Sequence, residues 1–310
     1  KSLGHVQSVV ERRNTIPILS NVKIEAGDGV VKLNATDMDQ DIVEATPAQV
    51  STPGATTVSV HTIYDIVRKL PNGTQVDLDA SGDGELVLSA GRSRFTLQTL
   101  PTEEFPVLSG GELPTAFSLA ASELRTLIDR SRFAISTEET RYYLNGIYLH
   151  KAERSGSAML RAVATDGHRL ASVETPLPVG AENMPGVIVP RKAIAELRKL
   201  IDEFNDQVQI SLSETAICFS FDNVVLTSKL IDGTFPDYER VIPNGNDKTM
   251  EVDCKLFADA VDRVSAISNE KSRAIKLALS KNLLLLTASS PEHGSAIEEL
   301  EAGVDAVTFT

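Results

Sequence analysis

Asp166 and His168 are the residues of this chain best suited by type and spacing to acid–base chemistry. In Thr165-Asp166-Gly167-His168 a carboxylate and an imidazole stand two positions apart, and general acid and base catalysis uses these groups. Catalysis also needs a nucleophile or a metal in the same pocket. The chain has no Gly-x-Ser-x-Gly elbow, phosphate loop, paired-cysteine zinc pattern or His-Glu-x-x-His helix. Because an Asp-Gly pair among strands is more simply a tight turn, we expect no enzyme activity, no metal and no cofactor.

Lysine and arginine residues suggest a second chemistry, attraction of phosphate. The predicted helices hold many of them: Arg12, Arg13, Arg68, Lys69, Arg125, Arg130, Arg132, Arg191, Lys192, Arg198, Lys199, Lys255 and Arg263. The net charge of −13 argues against a nucleic-acid partner for the molecule as a whole. Any one of these groups is also explained as a solvated helix face. Their recurrence at matching places along the chain favours a shared basic surface.

The sequence segments that should form the elements carrying these residues occur as a repeat along the chain. Val187-Ile188-Val189 and Phe235-Pro236 repeat Val58-Ser59-Val60 and Phe105-Pro106, at offsets of 187 − 58 = 129 and 235 − 105 = 130. A third copy begins where Ala134-Ile135-Ser136 recurs as Ala266-Ile267-Ser268, at an offset of 266 − 134 = 132. Repeats of this length indicate tandem globular domains rather than a stacked array.

Three domains are therefore predicted, at residues 1–108, 116–241 and 250–310. The counterpart of Phe117, which opens copy two, would lie before residue 1, and the counterpart of Val187 in copy three would lie beyond Thr310. We therefore expect domain one to lack its first strand and domain three its second half, as in a shortened version of a longer protein.

Composition is that of an ordinary soluble protein, with 42% hydrophobic residues. No apolar run approaches the roughly 18 residues that span a bilayer, and no signal peptide is visible. Cys218 and Cys254 stand in different copies, which indicates buried thiols in a reducing compartment rather than a disulfide. We expect a cytoplasmic protein with no membrane contact.

Each copy mixes strands with helices. Val208, Ile210 and Leu212 alternate with polar residues as in a strand with one buried face. Helical spacing predicts a helix over 190–204 and another over 121–133, the latter with Ser122 as its N-cap. Helices packed on one side of antiparallel sheets give an α+β domain, and three in a row make an arc. An arc with unlike ends closes only by pairing head to tail with another copy.

Several motifs in order closely resemble the bacterial β sliding clamp family, the processivity subunit of DNA polymerase III. They are Arg141-Tyr142-Tyr143-Leu144-Asn145-Gly146, Thr165-Asp166-Gly167-His168-Arg169-Leu170, Val189-Pro190-Arg191-Lys192, and Thr227-Ser228-Lys229-Leu230 through Phe235-Pro236-Asp237-Tyr238. The resemblance covers essentially the whole chain. It implies a homodimeric ring of six similar domains, with antiparallel sheets outside and two helices of each domain on the inner face. Double-stranded DNA would pass through this ring without sequence-specific contacts.

The resemblance also implies site residues. The DNA-contacting positions are Arg13, Arg68, Tyr142, Tyr143 and Lys192, although residues alone would favour Tyr142 and Tyr143 as two strand aromatics, one buried and one exposed. His61 and Thr62 stand where relatives can carry basic residues, which weakens the positive lining there.

A groove for short linear motifs is implied at Leu144, Thr165, Gly167, His168, Arg169, Leu170, Pro236, Arg240 and Val241. The implied partners are DNA polymerase III and other polymerases, the clamp loader and repair proteins, and in the family the last residues of the chain complete this groove. Apolar walls would take the anchors of an extended peptide, and basic residues at the rim would hold its polar groups.

The implied dimer contact joins copy one of one subunit to copy three of the other. Phe95 and Leu97 form one apolar half and Ile267 the other, with Arg92 and Arg94 facing Glu298 and Glu299. Exposed ion pairs contribute less than about 1 kcal/mol each, so we expect the apolar contacts to dominate and the charges to set the register. A repeat-built adaptor that binds proteins without encircling DNA remains the alternative.

Overall fold

The computed structural model describes residues 1–82, 84–108, 111–204, 206–246, 250–268, 274–280 and 282–304. The chain forms two compact units, residues 1–235 and 236–310. The first unit contains copies one and two of the repeat. The second contains copy three, of which residues 305–310 lie outside the described part.

Copy one is built from two helices and seven strands. They are α1 (Ser2–Val9), β1 (Asn21–Gly27), β2 (Val30–Thr36), β3 (Gln40–Pro47), β4 (Gly54–Ser59), α2 (Val60–Val67), β5 (Asp77–Asp79), β6 (Glu85–Ala90) and β7 (Ser93–Gln98). Copy two follows with β8 (Thr115–Ala120), α3 (Ala121–Asp129), β9 (Gly146–Arg154), β10 (Ser157–Thr165), β11 (Leu170–Pro176), β12 (Val187–Pro190), α4 (Arg191–Ile201), β13 (Gln207–Leu212), β14 (Ala216–Ser220) and β15 (Val224–Lys229).

One antiparallel sheet crosses the boundary between copies one and two. Its strand order is β4-β1-β2-β3-β15-β14-β13-β8, so that β3 of copy one pairs with β15 of copy two. In this pair Ile42 lies opposite Leu226, and both are buried. Two smaller sheets, β11-β10-β9-β12 and β5-β6-β7, complete the unit. One large buried apolar core runs through both copies, and Ile18, Leu19 and Phe105 form a smaller separate cluster in copy one.

Four helices cover this core. The predicted helix over 190–204 is α4, and its stripe of Ile194, Leu197, Leu200 and Ile201 is buried as expected. The helix predicted over 121–133 is shorter, because α3 begins after Ala120 and ends at Asp129. Ser122 was wrongly predicted as its N-cap. Phe133 lies beyond the helix in a 3-10 turn and is 55% exposed.

The second unit is smaller. It contains β16 (Met250–Glu251), α5 (Cys254–Ser265), β17 (Lys276–Ser280), β18 (Leu283–Ser290), β19 (Gly294–Glu301) and β20 (Gly303–Val304). Strands β17, β18 and β19 form an antiparallel sheet, which α5 covers through Ala260 and Val264. The side chain of Asp253 caps α5 by accepting a hydrogen bond from Leu256 N at 2.9 Å. No helix of the described residues is long and apolar enough to cross a membrane.

Candidate functional site

The turn between β10 and β11 holds most of the predicted groove residues. Thr165 Oγ1 donates to Arg169 O at 2.7 Å and accepts from Gly167 N at 3.1 Å. Asp166 Oδ1 accepts from the backbone N–H groups of His168 and Arg169 at 2.9 and 3.0 Å. Gly167 has φ +87°, a conformation that glycine adopts at no steric cost. The Asp-Gly pair is therefore the tight turn that the sequence indicated.

This turn does not arrange Asp166 and His168 for catalysis. Hydrogen bonds from the backbone of His168 and Arg169 lower the pKa of the Asp166 carboxyl below its usual value. A carboxylate with a lowered pKa is a weak base, and its oxygens already accept from the turn and from Arg169 Nε at 3.0 Å. Among the described residues, no three acidic, histidine or cysteine side chains lie together as metal ligands would.

Neighbouring side chains extend the turn into a surface. A Cβ on Gly167 would lie 2.6 Å from Arg141 Nη1, so the guanidinium of Arg141 packs closely against this turn. The guanidinium of Arg169 lies over the Phe133 ring, 5.6 Å from its centre. Leu170 is half-buried, whereas Leu144 is only 4% exposed. Leu144 therefore packs beneath this surface, and little of its side chain is accessible to a bound peptide.

The other predicted groove residues belong to the second unit. Arg240 and Val241 lie in a 3-10 turn over Tyr238–Val241, and Pro236 precedes it. Val241 is 68% exposed. Arg240 Nε pairs with Asp237 at 2.6 Å and is itself largely exposed. An apolar side chain and a cation are thus presented to solvent beside each other in the sequence.

Copy one contains the same turn at Thr36–Gln40. Thr36 Oγ1 donates to Gln40 O at 2.8 Å, and Asp37 Oδ1 accepts from the backbone of Asp39 and Gln40 at 3.0 and 2.8 Å. Met38 takes the place of Gly167, with φ +78°. The two turns are 165 − 36 = 129 residues apart. In copy one, however, Lys192 pairs with Asp37 and Lys229 pairs with Asp39 at 3.3 Å, so copy two already occupies its rim.

Tyr142 and Tyr143 lie in a 3-10 segment, Glu139–Leu144, and not in a strand. Their rings meet edge to face with centres 5.8 Å apart, and Tyr142 is 55% exposed. A Cβ on Gly233 would lie 3.1 Å from the Cβ of Tyr143, so the loop after β15 holds the pair in place. The alternative of two strand aromatics is therefore wrong, and an exposed aromatic face is present.

The predicted DNA-contacting residues differ in whether their charged groups already pair with a carboxylate. Arg13 is exposed and has no acidic partner among the described residues. Arg68 pairs with Asp65 at 2.8 Å. Lys192 pairs with Glu11 at 3.1 Å and with Asp37. Burial opposes the charge of Lys192, but hydrogen bonds to Asp37 and Glu11 outweigh it and raise its pKa. Lys192 therefore joins the two copies as well as carrying charge.

Ion pairing divides the basic residues that the sequence analysis grouped together. Most basic residues of the helices have acidic partners, such as Arg198 with Asp129 at 2.7 Å and Lys199 with Glu196 at 2.8 Å. Within the described ranges, those that are exposed and lack such partners are Arg12, Arg13, Lys69, Arg130 and Arg191. Some of the pairing acids lie three or four residues away in the sequence, as Glu196 does from Lys199, whereas others, such as Asp129 for Arg198 and Glu298 for Arg263, come from distant segments that sequence patterns do not bring together.

Most of the predicted dimer residues lie on two edge strands. Arg94, Phe95 and Leu97 belong to β7, at one edge of β5-β6-β7, and Arg92 lies in the preceding turn. Glu298 and Glu299 belong to β19, at one edge of β17-β18-β19, and Ile267 follows α5. Glu298 already pairs with Arg263 of its own chain at 2.5 Å. Glu299 is exposed and without an acidic or basic partner in the described part of the chain.

Comparison with known proteins gives a consistent result. Family models of the DNA polymerase III beta subunit match along the chain, with the N-terminal domain at residues 1–109, the central domain at 118–237 and the C-terminal domain at 239–308. The beta sliding clamp of Caulobacter vibrioides strain NA1000 is 53% identical over 310 residues, which is 100% of this chain and 83% of that relative.

Solved structures agree. A Caulobacter crescentus beta sliding clamp superposes with a TM-score of 0.96 at 53% identity, covering 99% of this chain and 82% of that one. The sliding clamp of Bartonella birtlesii bound to griselimycin gives 0.95 at 50% identity, again covering 99% and 82%. Three clamp domains with antiparallel sheets and a few helices account for the architecture described above. The chain therefore belongs to the DNA polymerase III beta subunit family, the beta sliding clamps of DNA replication.

Proposed function

We propose that this chain forms a head-to-tail homodimeric ring that encircles duplex DNA and tethers polymerases to it. The observation that carries the proposal is the helical layer of the first unit, in which α1 contacts both α2 and α4, and α4 contacts α3. Such a layer would present the cations of two copies on one surface. Lysine and arginine facing a phosphate cylinder attract it without holding any base edge, which permits sliding. The clamp domains would span 1–108, 116–241 and 250–310.

Within this surface the unpaired cations carry the main role. Arg13 with Tyr142 and Tyr143 would contact the backbone, joined by Arg12, Lys69, Arg130 and Arg191. Arg68 and Lys192 would contribute less, because each already has an acidic neighbour that a phosphate would have to displace. The net charge of the whole chain is −13, so the surface outside this basic region is acidic. Its negative charge would discourage DNA from binding elsewhere on the molecule.

Ring closure would use the two edge strands. Within the first unit, β3 pairs antiparallel with β15. The repeat makes β19 the counterpart of β3, and β7 the counterpart of β15. We therefore expect β19 of one subunit to pair antiparallel with β7 of the other, with Phe95 and Leu97 as apolar anchors and Ile267 beside them. Arg92 and Arg94 would then face Glu299, and Glu298 only as far as Arg263 releases it.

The turn of β10 and β11, with residues 236–241, would receive short linear motifs of partner proteins. The partners proposed are DNA polymerase III and other polymerases, the clamp loader and repair proteins, acting on DNA in the cytoplasm. Leu170 and Val241 would take apolar anchors, while Arg169 and Arg240 hold polar groups at the rim. The chain itself would be a non-catalytic processivity factor. The alternative, an adaptor that never encircles DNA, shares this groove.

Retention on closed circular DNA distinguishes the encircling ring from the adaptor. We expect the combined variant Arg13→Ala, Tyr142→Ala and Tyr143→Ala, once loaded by a clamp-loader ATPase, to leave the circle at least severalfold faster than the unaltered protein. The difference should shrink as salt rises, because removal of one phosphate contact reduces the salt slope of the variant by about 1. Arg154→Ala, which also removes one charge but lies on β9, should behave as the unaltered protein. Unchanged retention of the triple variant would favour the adaptor.

A further inference from the structure

Helices α3 and α4 are joined by a network of alternating charges, in the order Arg132, Asp129, Arg198, Asp202 and Arg125. Arg198 Nε donates to Asp129 Oδ1 at 2.7 Å, and its Nη1 pairs with Asp202 Oδ1 at 2.5 Å. Asp129 also pairs with Arg132 at 3.3 Å, and Asp202 with Arg125 at 3.6 Å. Three arginines and two aspartates leave a net charge of 3 − 2 = +1. Arg198 is therefore held between two carboxylates.

Both aspartates of this network stand at helix positions that disfavour them. Asp129 is the last residue of α3, and Asp202 is the C-cap of α4. The carbonyl groups at a helix C-terminus carry partial negative charge, which favours cations and opposes carboxylates there. The hydrogen bond from Arg198 lowers the pKa of the Asp129 carboxyl nonetheless, so this group is ionised at neutral pH. A neutral or basic residue would suit each helix end better.

Copy one holds the corresponding arginine in a similar way. Arg198 and Arg68 are 198 − 68 = 130 residues apart, which is the offset of the repeat. Arg68 Nε pairs with Asp65 at 2.8 Å, and its guanidinium lies over the Tyr64 ring, 5.7 Å from its centre. The acid comes from α2 itself in copy one and from the ends of α3 and α4 in copy two. A paired arginine at this place thus recurs with different acids.

Other cations of the same two helices remain unpaired. Arg130 directly follows α3 and Arg191 begins α4, and both are exposed and without an acidic partner in the described ranges. The helical layer therefore leaves some cations available to phosphate and occupies others with carboxylates. Its attraction for DNA is weaker than its arginine content would allow, because a phosphate must displace Asp129 and Asp202 to reach Arg198.

We propose that Asp129 and Asp202 weaken the attraction between the ring and DNA by competing with phosphate for Arg198, and that they thereby speed sliding. This inference rests on the proposed function, and it concerns how fast the ring moves rather than whether it encircles DNA. A phosphate contact has to break each time the ring advances along the duplex. An arginine that a carboxylate already holds makes no such contact, so the barrier to each step is lower.

The test follows a fluorescently labelled ring, loaded by a clamp-loader ATPase, as it diffuses along stretched duplex DNA. Asp129→Asn with Asp202→Asn keeps the size of both side chains and releases Arg198 from its ion pairs. We expect the diffusion coefficient to fall at least about threefold at about 50 mM salt. The difference should shrink at about 200 mM salt, because the added phosphate contact steepens the salt dependence. A purely structural role of the two aspartates would not change this salt dependence.

The matched control is Asp28→Asn with Asp222→Asn, which changes the net charge by the same amount. Asp28 lies in the turn between β1 and β2, Asp222 lies between β14 and β15, and both are exposed. Asp28 has φ +50°, a conformation that asparagine tolerates. This control should diffuse as the unaltered ring does. Equal slowing of both double variants would mean that net charge alone acts, which overturns the proposal.

Adding Arg198→Gln to the double variant shows whether the effect passes through Arg198. We expect this triple variant to regain at least about half of the lost diffusion rate, because the released phosphate contact is gone. A triple variant as slow as the double variant would show that the aspartates act by repelling phosphate directly, against the proposal. If circular dichroism shows that the double variant fails to fold, Asp202→Asn alone decides. Its side chain is 58% exposed, and its diffusion should be slower in the same direction.

Failure of the proposed function gives a different result. An unaltered chain that is not retained on closed circular DNA would refute encirclement, and this inference with it. An unaltered ring that is retained, beside a double variant that diffuses at the same rate, would leave encirclement standing and refute the role of Asp129 and Asp202.

Discussion

Histidine at position 5 joins copies one and two through two carboxylates. Its Nδ1 lies 2.7 Å from Glu44 Oε2 and its Nε2 lies 3.0 Å from Glu203 Oε1. Because both ring nitrogens face carboxylate oxygens, the cationic imidazole suits the site better than the neutral one. The hydrogen bond with Glu44 raises the pKa of His5 against the opposing effect of burial. Burial opposes the charge of Glu44, but hydrogen bonds from His5 and Ser2 and the nearby positive charges together outweigh it and lower that pKa.

The free energy of unfolding should depend on pH as the pKa shifts of His5 and Glu44 require. The raised pKa of His5 contributes stability that is complete below the unfolded value near 6.5 and is lost as pH rises through the folded value. The lowered pKa of Glu44 contributes stability that is lost as pH falls below 4.5 through its folded value. We expect His5→Gln to cost about 2 kcal/mol at pH 6 and clearly less at pH 9, as measured by urea unfolding.

The control for this prediction is His61→Gln. His61 Nδ1 contacts the amide oxygen of Gln7 at 3.1 Å, so this variant removes a histidine that has no carboxylate partner in the described part of the chain. A deficit of His5→Gln that is equal at pH 6 and pH 9 would show that the imidazolium contributes nothing specific.

Asp41 is the opposite case, a carboxylate without compensation. Burial raises its pKa to about 6, and the hydrogen bond from Asn34 only partly offsets this. Asp41 Oδ1 and Asn34 Oδ1 are both buried and unpaired in the described part of the chain. Between pH 3.8 and about 6 the folded state keeps a proton that the unfolded chain loses, so stability falls as pH rises through this window and stays lower above it.

An amide at this position should remove that cost. We expect Asp41→Asn to stabilise the protein by about 1–3 kcal/mol at pH 8 and by little at pH 4, because it carries no charge and brings an N–H donor close to the unpaired Oδ1 of Asn34. Thermal unfolding at the two pH values measures this. Asp39→Asn, at an exposed neighbour in the same turn, is the control. No gain for Asp41→Asn at pH 8 would mean that the site already satisfies the charge.

Elements with strong periodicity were predictable from the sequence, and those that depend on distant partners were not. Helix α4 and strand β13 lie where helical spacing and alternation placed them, because burial of one face sets both patterns. Ser122 resembles an N-cap in its local context, yet β8 continues to Ala120 and leads directly into α3. The pairing of Lys192 depends on chain segments that single-sequence patterns do not bring together.

The turn of β10 and β11 leads to a prediction for the groove. Leu144 is buried, so its truncation would create a cavity and destabilise the core. Leu170→Ala with Val241→Ala instead removes exposed apolar surface, and we expect it to weaken binding of a polymerase-derived motif peptide severalfold by calorimetric titration. Leu78→Ala, at a leucine of β5 that is 41% exposed, is the matched control. An unaltered titration curve for the double variant would refute the groove assignment.

For the whole molecule, association of two chains is the central expectation. A dimer of a 33.4 kDa chain should show twice that mass by light scattering. Phe95→Ala with Leu97→Ala should shift the protein to the single-chain mass at micromolar concentration, because apolar contacts dominate exposed ion pairs at such an edge. Val107→Ala, which truncates an 81% exposed valine elsewhere in copy one, should leave the mass unchanged. A double variant that keeps the larger mass would place the interface on other strands.

The shared sheet between copies one and two has a consequence for how the chain responds to cleavage. Strands β3 and β15 pair over five residue positions, and the same buried core fills both copies. The peptide link between the copies adds none of these contacts. We expect that two fragments cut in that link would stay associated through the pairing of β3 with β15 and through the shared core. These contacts do not require a covalent connection between the copies.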